Sequence, residues 1–151
     1  MSALTDRVSC DLKNAMKEHR ELELSVLRML KSEIQKFQAD RGADYCITDD
    51  DVVTLASRMV KQRREAAEQY QAAGAADRAR SELDESKILQ SYLPKQLSAA
   101  EVEDLVRCAV VETGASSPKD MGKVMKALMP KLKGAADGKL VKDTVMRALR
   151  G

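Results

Sequence analysis

The chain has 151 residues, a net charge of +2, one Phe and no Trp, and a third of its side chains are charged. That is enough for one domain or two small ones, packed by Leu, Val, Ala and Met; aromatic residues, on which strands draw, are scarce, so helices are favoured. No stretch approaches 18 apolar residues and the N-terminus has no charged region followed by an apolar core, so neither a membrane span nor a secretory signal is expected, and a cytoplasmic location is.

Helical periodicity starts at once. Leu4, Val8, Leu12, Ala15 and Met16 mark a first amphipathic helix. Leu22, Val26, Leu27, Leu30, Ile34 and Phe37 mark a longer second one, with Gly42 placed to end it. Thr48 with Asp51 three residues on reads as a capping box opening a third helix. That helix carries Val52, Leu55, Ala56, Met59, Val60 and Ala67, and Gly74 stops it. A fourth helix is predicted from about Asp77 to Tyr92, with Leu83, Ile88 and Leu89 inward. Pro94 breaks that pattern and makes Leu93–Leu97 the internal boundary.

Ser98 and Glu101 read as a second capping box, opening a fifth helix with Val102, Leu105, Val106, Ala109 and Val110 inside and Gly114 at its end. Ser117 is placed as the next cap, Pro118 at the first helical position and Asp120 in the first turn. Met121, Val124, Leu128 and Met129 are expected inside the sixth helix, which Pro130 and Gly134 should end. Asp137 caps a seventh with Leu140, Val141, Val145, Ala148 and Leu149 inward. The expected fold is all-α, about seven helices in two unlike subdomains: four in residues 1–93 and three in 94–151.

Little in the chain suggests catalysis. The single histidine, His19, reads as a solvated loop residue with no nucleophile motif to serve. Cys10, Cys46 and Cys108 are far apart and form no Cys-x-x-Cys pair, so no metal site is expected. Cys10 and Cys108 are expected in or near the core, Cys46 in a loop. Gly122-Lys123 lacks the upstream glycine, the following Ser or Thr and the strand of a phosphate loop. Gly122 is read instead as a point of close helix approach. Asp49, Asp50 and Asp51 suit the positive end of a helix better than a calcium loop. No cofactor is expected.

Charge is the stronger signal. Residues 1–94 carry fifteen basic and seventeen acidic side chains, whereas residues 95–151 carry eleven and seven. Lys119, Lys123, Lys126, Lys131, Lys133 and Lys139 cluster around the last two helix starts, where dipoles and backbone N–H groups also favour phosphate. These six are the candidate RNA-binding residues. Lys61, Arg63 and Arg64 form a weaker candidate patch, with Glu65 and Glu68 expected to neutralise it in part.

The order of motifs resembles the GatB/YqeY family, in its stand-alone YqeY-like form, over essentially the whole chain. The residues that carry this are Leu27-Arg28-Met29-Leu30-Lys31, Lys61-Gln62-Arg63, Tyr92-Leu93-Pro94-Lys95-Gln96-Leu97, Asp120-Met121-Gly122-Lys123-Val124-Met125, Lys131-Leu132-Lys133-Gly134 and Ala136-Asp137-Gly138. The resemblance implies a four-helix followed by a three-helix subdomain. The second is similar to the tail of the B subunit of the tRNA-dependent amidotransferase, a glutamine-dependent carbon–nitrogen ligase. In that enzyme the tail contacts tRNA and the chemistry lies elsewhere. The resemblance therefore implies a non-catalytic, tRNA-associated accessory module in translation. Its partners would be tRNA and the amidotransferase or aminoacyl-tRNA synthetase machinery. Family members often carry Arg where this chain has Ala75 and Ala135, which removes two cations. The alternative reading is a protein-interaction adaptor that docks a partner through Met121, Met125 and Met129.

Overall fold

The computed structural model describes residues 2–150. Among them lie seven α-helices, one short 3-10 turn and no strand. The chain divides into two compact units, one ending at Leu93 and the other beginning at Pro94.

The first unit contains α1 (Ala3–Lys17), α2 (Glu21–Arg41), α3 (Asp49–Ala72) and α4 (Ala76–Gln90). Ser2 caps α1 by accepting the Thr5 N–H at 3.1 Å, and Asp49 reaches across to accept the Leu4 N–H at 3.0 Å. Thr48 and Asp51 form the reciprocal box at the start of α3, at 3.2 and 2.9 Å. Tyr45 donates to the same Asp51 carboxylate at 2.7 Å. Burial alone would raise the Asp51 pKa, but the Thr48 N–H and the Tyr45 hydroxyl outweigh it and hold the group below its usual value. Val26, Leu27, Leu30, Val52, Leu55 and Leu89 fill the core.

Small side chains are buried on both helices of the α3–α4 hairpin: Ala67 and Ala79, and Ser86, whose hydroxyl donates to the Leu83 carbonyl at 2.7 Å. The buried stripe of α4 runs through Ala79, Ser86 and Leu89, so Leu83 falls at its edge and is 44% exposed, not inward. Leu22 and Met16 are likewise exposed, near the turn between α1 and α2. Cys10 is exposed on α1. Tyr92 closes the unit. Its ring is buried beneath the Arg7 guanidinium, 4.6 Å from the ring centroid, and its hydroxyl donates to Asp11 at 2.5 Å.

The second unit contains α5 (Ala99–Thr113), a 3-10 turn (Pro118–Asp120), α6 (Met121–Leu132) and α7 (Gly138–Arg150). One core joins them: Val102 and Val106 from α5, Val124, Leu128 and Leu132 from α6, and Val141, Val145 and Leu149 from α7. Ser98 accepts the Glu101 N–H at 3.2 Å, but the Glu101 carboxylate answers the Ser98 hydroxyl and not its backbone, so the box is half formed. Gly114 ends α5 in the left-handed region, φ 68°. The segment before α5 is pinned to the α6–α7 turn by Leu97 N–H to Ala135 O at 2.9 Å and Gln96 Nε2 to Gly134 O at 2.6 Å.

Five residues of this unit depart from expectation. Pro130 does not end α6; it sits inside the last turn, and the helix runs on to Leu132, which is buried. A proline so near the end forfeits only the bond to the Lys126 carbonyl, and burying Leu132 favours the continued turn. Met129 and Ala148 are exposed, not inward. Cys108 is exposed on α5. Gly122 meets no neighbour where a Cβ would stand, so it marks no close helix contact.

Candidate nucleic-acid interface

The lysine surface follows from helix geometry. Val124, Leu128 and Leu132 point into the core, and at 3.6 residues per turn Lys123 and Lys126 then fall on the opposite side. Lys119, in the 3-10 turn, and Lys133, just past the helix, extend the same row; all four are exposed. Between Met121 and Leu132 there is no acidic residue. Lys131 leaves this row. It falls on the flank towards α5, where its ammonium lies 3.8 Å from the Glu112 carboxylate, with both side chains more than half exposed. Such a pair contributes little. Lys139 is exposed in the first turn of α7.

Three of the backbone N–H groups beside these lysines are already engaged by carboxylates. The Asp120 carboxylate accepts the N–H groups of Ser116 at 2.9 Å and Ser117 at 3.3 Å. These two bonds, aided by the charge of Lys123, hold Asp120 below the usual carboxylate range. At α7, Asp137 accepts the Lys139 N–H at 3.1 Å. The surface therefore meets an anion with ammonium groups. It is suited to a diffuse polyanion more than to a single chelated phosphate.

Three cations that the sequence reading passed over belong to the same unit. Lys142, Arg147 and Arg150 are exposed on α7, where Val141, Val145 and Leu149 take the core side. Spacing relative to those three residues was the available signal, and Asp143 is the only acid within α7.

The weaker patch is divided. Lys61 and Arg64 are exposed. Arg63 is 20% exposed and bound to α4, at 3.1 Å from Glu82 and 2.6 Å from Glu85. Those two residues, not Glu65 and Glu68, engage its charge. The methionines of α6 also separate: Met121 and Met125 pack against the core and Met129 is exposed, so they do not make one continuous apolar face.

Other reactive groups stay apart. His19 is exposed in the turn after α1, with φ 55°. The three thiols are free and exposed. Burial first, and then the bond to Asp11, raises the Tyr92 hydroxyl well above the tyrosine range, so it remains a donor. Among the described residues no three His, Cys, Asp or Glu side chains are grouped to hold a metal, and no helix is long and apolar enough to cross a membrane.

The fold and this surface define an all-helical protein of two units, with cations concentrated on the outer faces of its last two helices. The chain belongs to the Yqey-like protein family, whose pattern matches residues 5–149. It is similar to the altered inheritance of mitochondria protein 41, mitochondrial, of Pyrenophora tritici-repentis, with 27% identity over 132 residues, covering 86% of this chain and 71% of that protein. The protein of the same name from Clavispora lusitaniae is 31% identical over 101 residues, covering 67% of this chain and 58% of the relative.

Proposed function

We propose that this protein is a non-catalytic accessory module that binds the backbone of tRNA through its C-terminal unit. One observation carries the reading: the solvent face of α6 bears Lys123 and Lys126, continued by Lys119 and Lys133, with no carboxylate along the helix. Ammonium groups on a rigid helix release counterions from a polyphosphate without reading bases. No aromatic side chain lies on that face to stack an unpaired base, so the target is folded, double-helical RNA recognised by shape. Likeness to the amidotransferase tail supports tRNA as the RNA and the amidotransferase or synthetase machinery as the setting. Lys139 and the α7 cations Lys142, Arg147 and Arg150 would widen the contact. The working compartment is the cytoplasm in this reading; the relatives' names place them in mitochondria, where tRNA is also handled.

The test is tRNA binding over a salt series, with Lys119→Gln/Lys123→Gln/Lys126→Gln alongside. The variant should bind more weakly, and the slope of log affinity against log salt should flatten by roughly 2–3. An unchanged slope would remove these lysines from the interface. Absence of binding by the native protein at low salt would remove the function.

A further inference from the structure

The first unit holds a groove of about 850 Å³ between α2 and α3, with Glu82 of α4 also in its lining. Its α2 wall runs from Arg28 to Lys36 and its α3 wall from Arg58 to Ala66, each about 12 Å of helix. Two of the segments singled out in the sequence, Leu27–Lys31 and Lys61–Arg63, meet there through Arg28, Met29, Gln62 and Arg63. Nothing in the lysine surface of the other unit accounts for them.

Methionines supply the apolar part. Met59 is buried and Met29 is 37% exposed, its sulfur 3.4 Å from the Arg63 Nη2. Flexible thioethers fit varied apolar side chains. The lining carboxylates are already paired: Glu33 with Arg58 at 3.1 Å, and Glu82 with Arg63 at 3.1 Å. Among the described residues no carboxylate pairs with Arg28 or Lys36, both exposed on the rim two turns apart. The groove thus combines an adaptable apolar floor with two uncommitted cations.

We propose that this groove docks an acidic amphipathic helix of a partner protein. Apolar residues at i, i+3, i+4 and i+7 would enter between α2 and α3, and flanking Asp or Glu side chains would meet Arg28 and Lys36. The groove lining carries four cations and two carboxylates, so the case against RNA rests on the surroundings and on the absence of aromatic side chains. The surrounding unit is slightly acidic, with seventeen acidic and fifteen basic residues up to position 94, and the groove lining has no aromatic side chain for base stacking. A polyanion needs a broad positive field, whereas an acidic helix needs a few well-placed cations.

The probe is a stapled 14-residue helix with Leu and Met on one face and Glu along its flanks. It is titrated into the full-length, isotope-labelled protein, beside a scrambled peptide of the same composition and beside tRNA. The expected result is saturable binding of the amphipathic probe, with amide shifts confined to residues 28–36 and 58–66 and the neighbourhood of Glu82. Arg28→Glu/Lys36→Glu should weaken it at least tenfold while tRNA affinity stays within twofold. Both positions are exposed, and an unchanged far-ultraviolet spectrum confirms folding. Met29→Asp, within the floor, provides a second route to the same loss. Equal binding of the scrambled peptide, shifts elsewhere, or no binding at millimolar probe would overturn the proposal. So would loss of tRNA affinity in the Arg28→Glu/Lys36→Glu variant, which would make the groove an RNA surface.

Discussion

Two glycines of the C-terminal unit make opposite demands on the backbone. Gly114 holds φ 68° with open space around it, so Gly114→Ala meets no steric neighbour and suffers only backbone strain. We expect a loss of about 1 kcal/mol in urea unfolding. Gly122 lies in the first turn of α6, with equally open space and no positive φ. Gly122→Ala should therefore stabilise, by up to about 1 kcal/mol. A destabilised Gly122→Ala would reveal a contact that the fold does not contain. The folded pKa of Asp120 is depressed by the Ser116 and Ser117 N–H groups. The sign follows: its stabilisation is present above the unfolded pKa, near 4, and fades as pH falls through the lower folded value. An NMR titration should find the Asp120 carboxyl titrating below an exposed aspartate, and the Ser116 and Ser117 amides should move with it. Titration at the ordinary value would mean that the two bonds are not formed.

At the scale of elements, α4 depends on Arg63. Its guanidinium reaches two carboxylates of α4 from a mostly buried position, and Glu82 and Glu85 are themselves less than 20% exposed. Arg63→Ala would leave two neighbouring carboxylates without their cation, and we expect a loss of about 1–3 kcal/mol. Glu85→Gln in the same background should recover part of it, because it removes one of the two stranded charges. Additive losses in that double-mutant cycle would show that the two residues do not interact. This pairing also marks a limit of sequence reading. Helix caps and apolar stripes are local, so the seven helices, the Thr48–Asp51 box and Gly114 were legible. Arg63 finds its partners nineteen and twenty-two positions away, and no local spacing points to them. Leu83 falls outside the buried stripe of α4 for the same kind of reason: which face of α4 is covered, here that of Ala79, Ser86 and Leu89, depends on how the helices pack. The local penalty of Pro130 is visible in sequence, whereas the burial of Leu132 that outweighs it depends on the folded unit. The lysine row of α6 was legible because it lies opposite a clear apolar stripe; the engaged N–H groups beside it were not.

At the scale of the molecule, each unit has its own hydrophobic core, and the segment leading into α5 is bonded within its own unit. A fragment of residues 94–151 should therefore fold alone, although with the marginal stability of a small domain. Circular dichroism should show cooperative melting, and the fragment should keep most of the tRNA affinity of the full chain. Retained folding with lost affinity would place the RNA contact in the first unit. The unequal charge of the two units was readable from residue counts alone. The groove in the first unit was not, since it arises where two helices from distant segments leave space between them.

Four of the seven acids of the C-terminal unit lie on one helix, the other three being Asp120, Asp137 and Asp143. Glu101, Glu103, Asp104 and Glu112 all belong to α5 and are exposed, whereas α6 has none. Three helices around one core turn their outer faces in different directions, so this unit carries a sizeable electric dipole besides its net positive charge. In the field of a polyanion such a body experiences torque before it touches anything. It would arrive with α6 foremost and α5 trailing, and fewer encounters would be wasted on the wrong face. In the proposed binding of RNA, the separation of the α5 acids from the α6 lysines would act on the frequency of productive collisions, a kinetic quantity that an equilibrium constant alone would conceal.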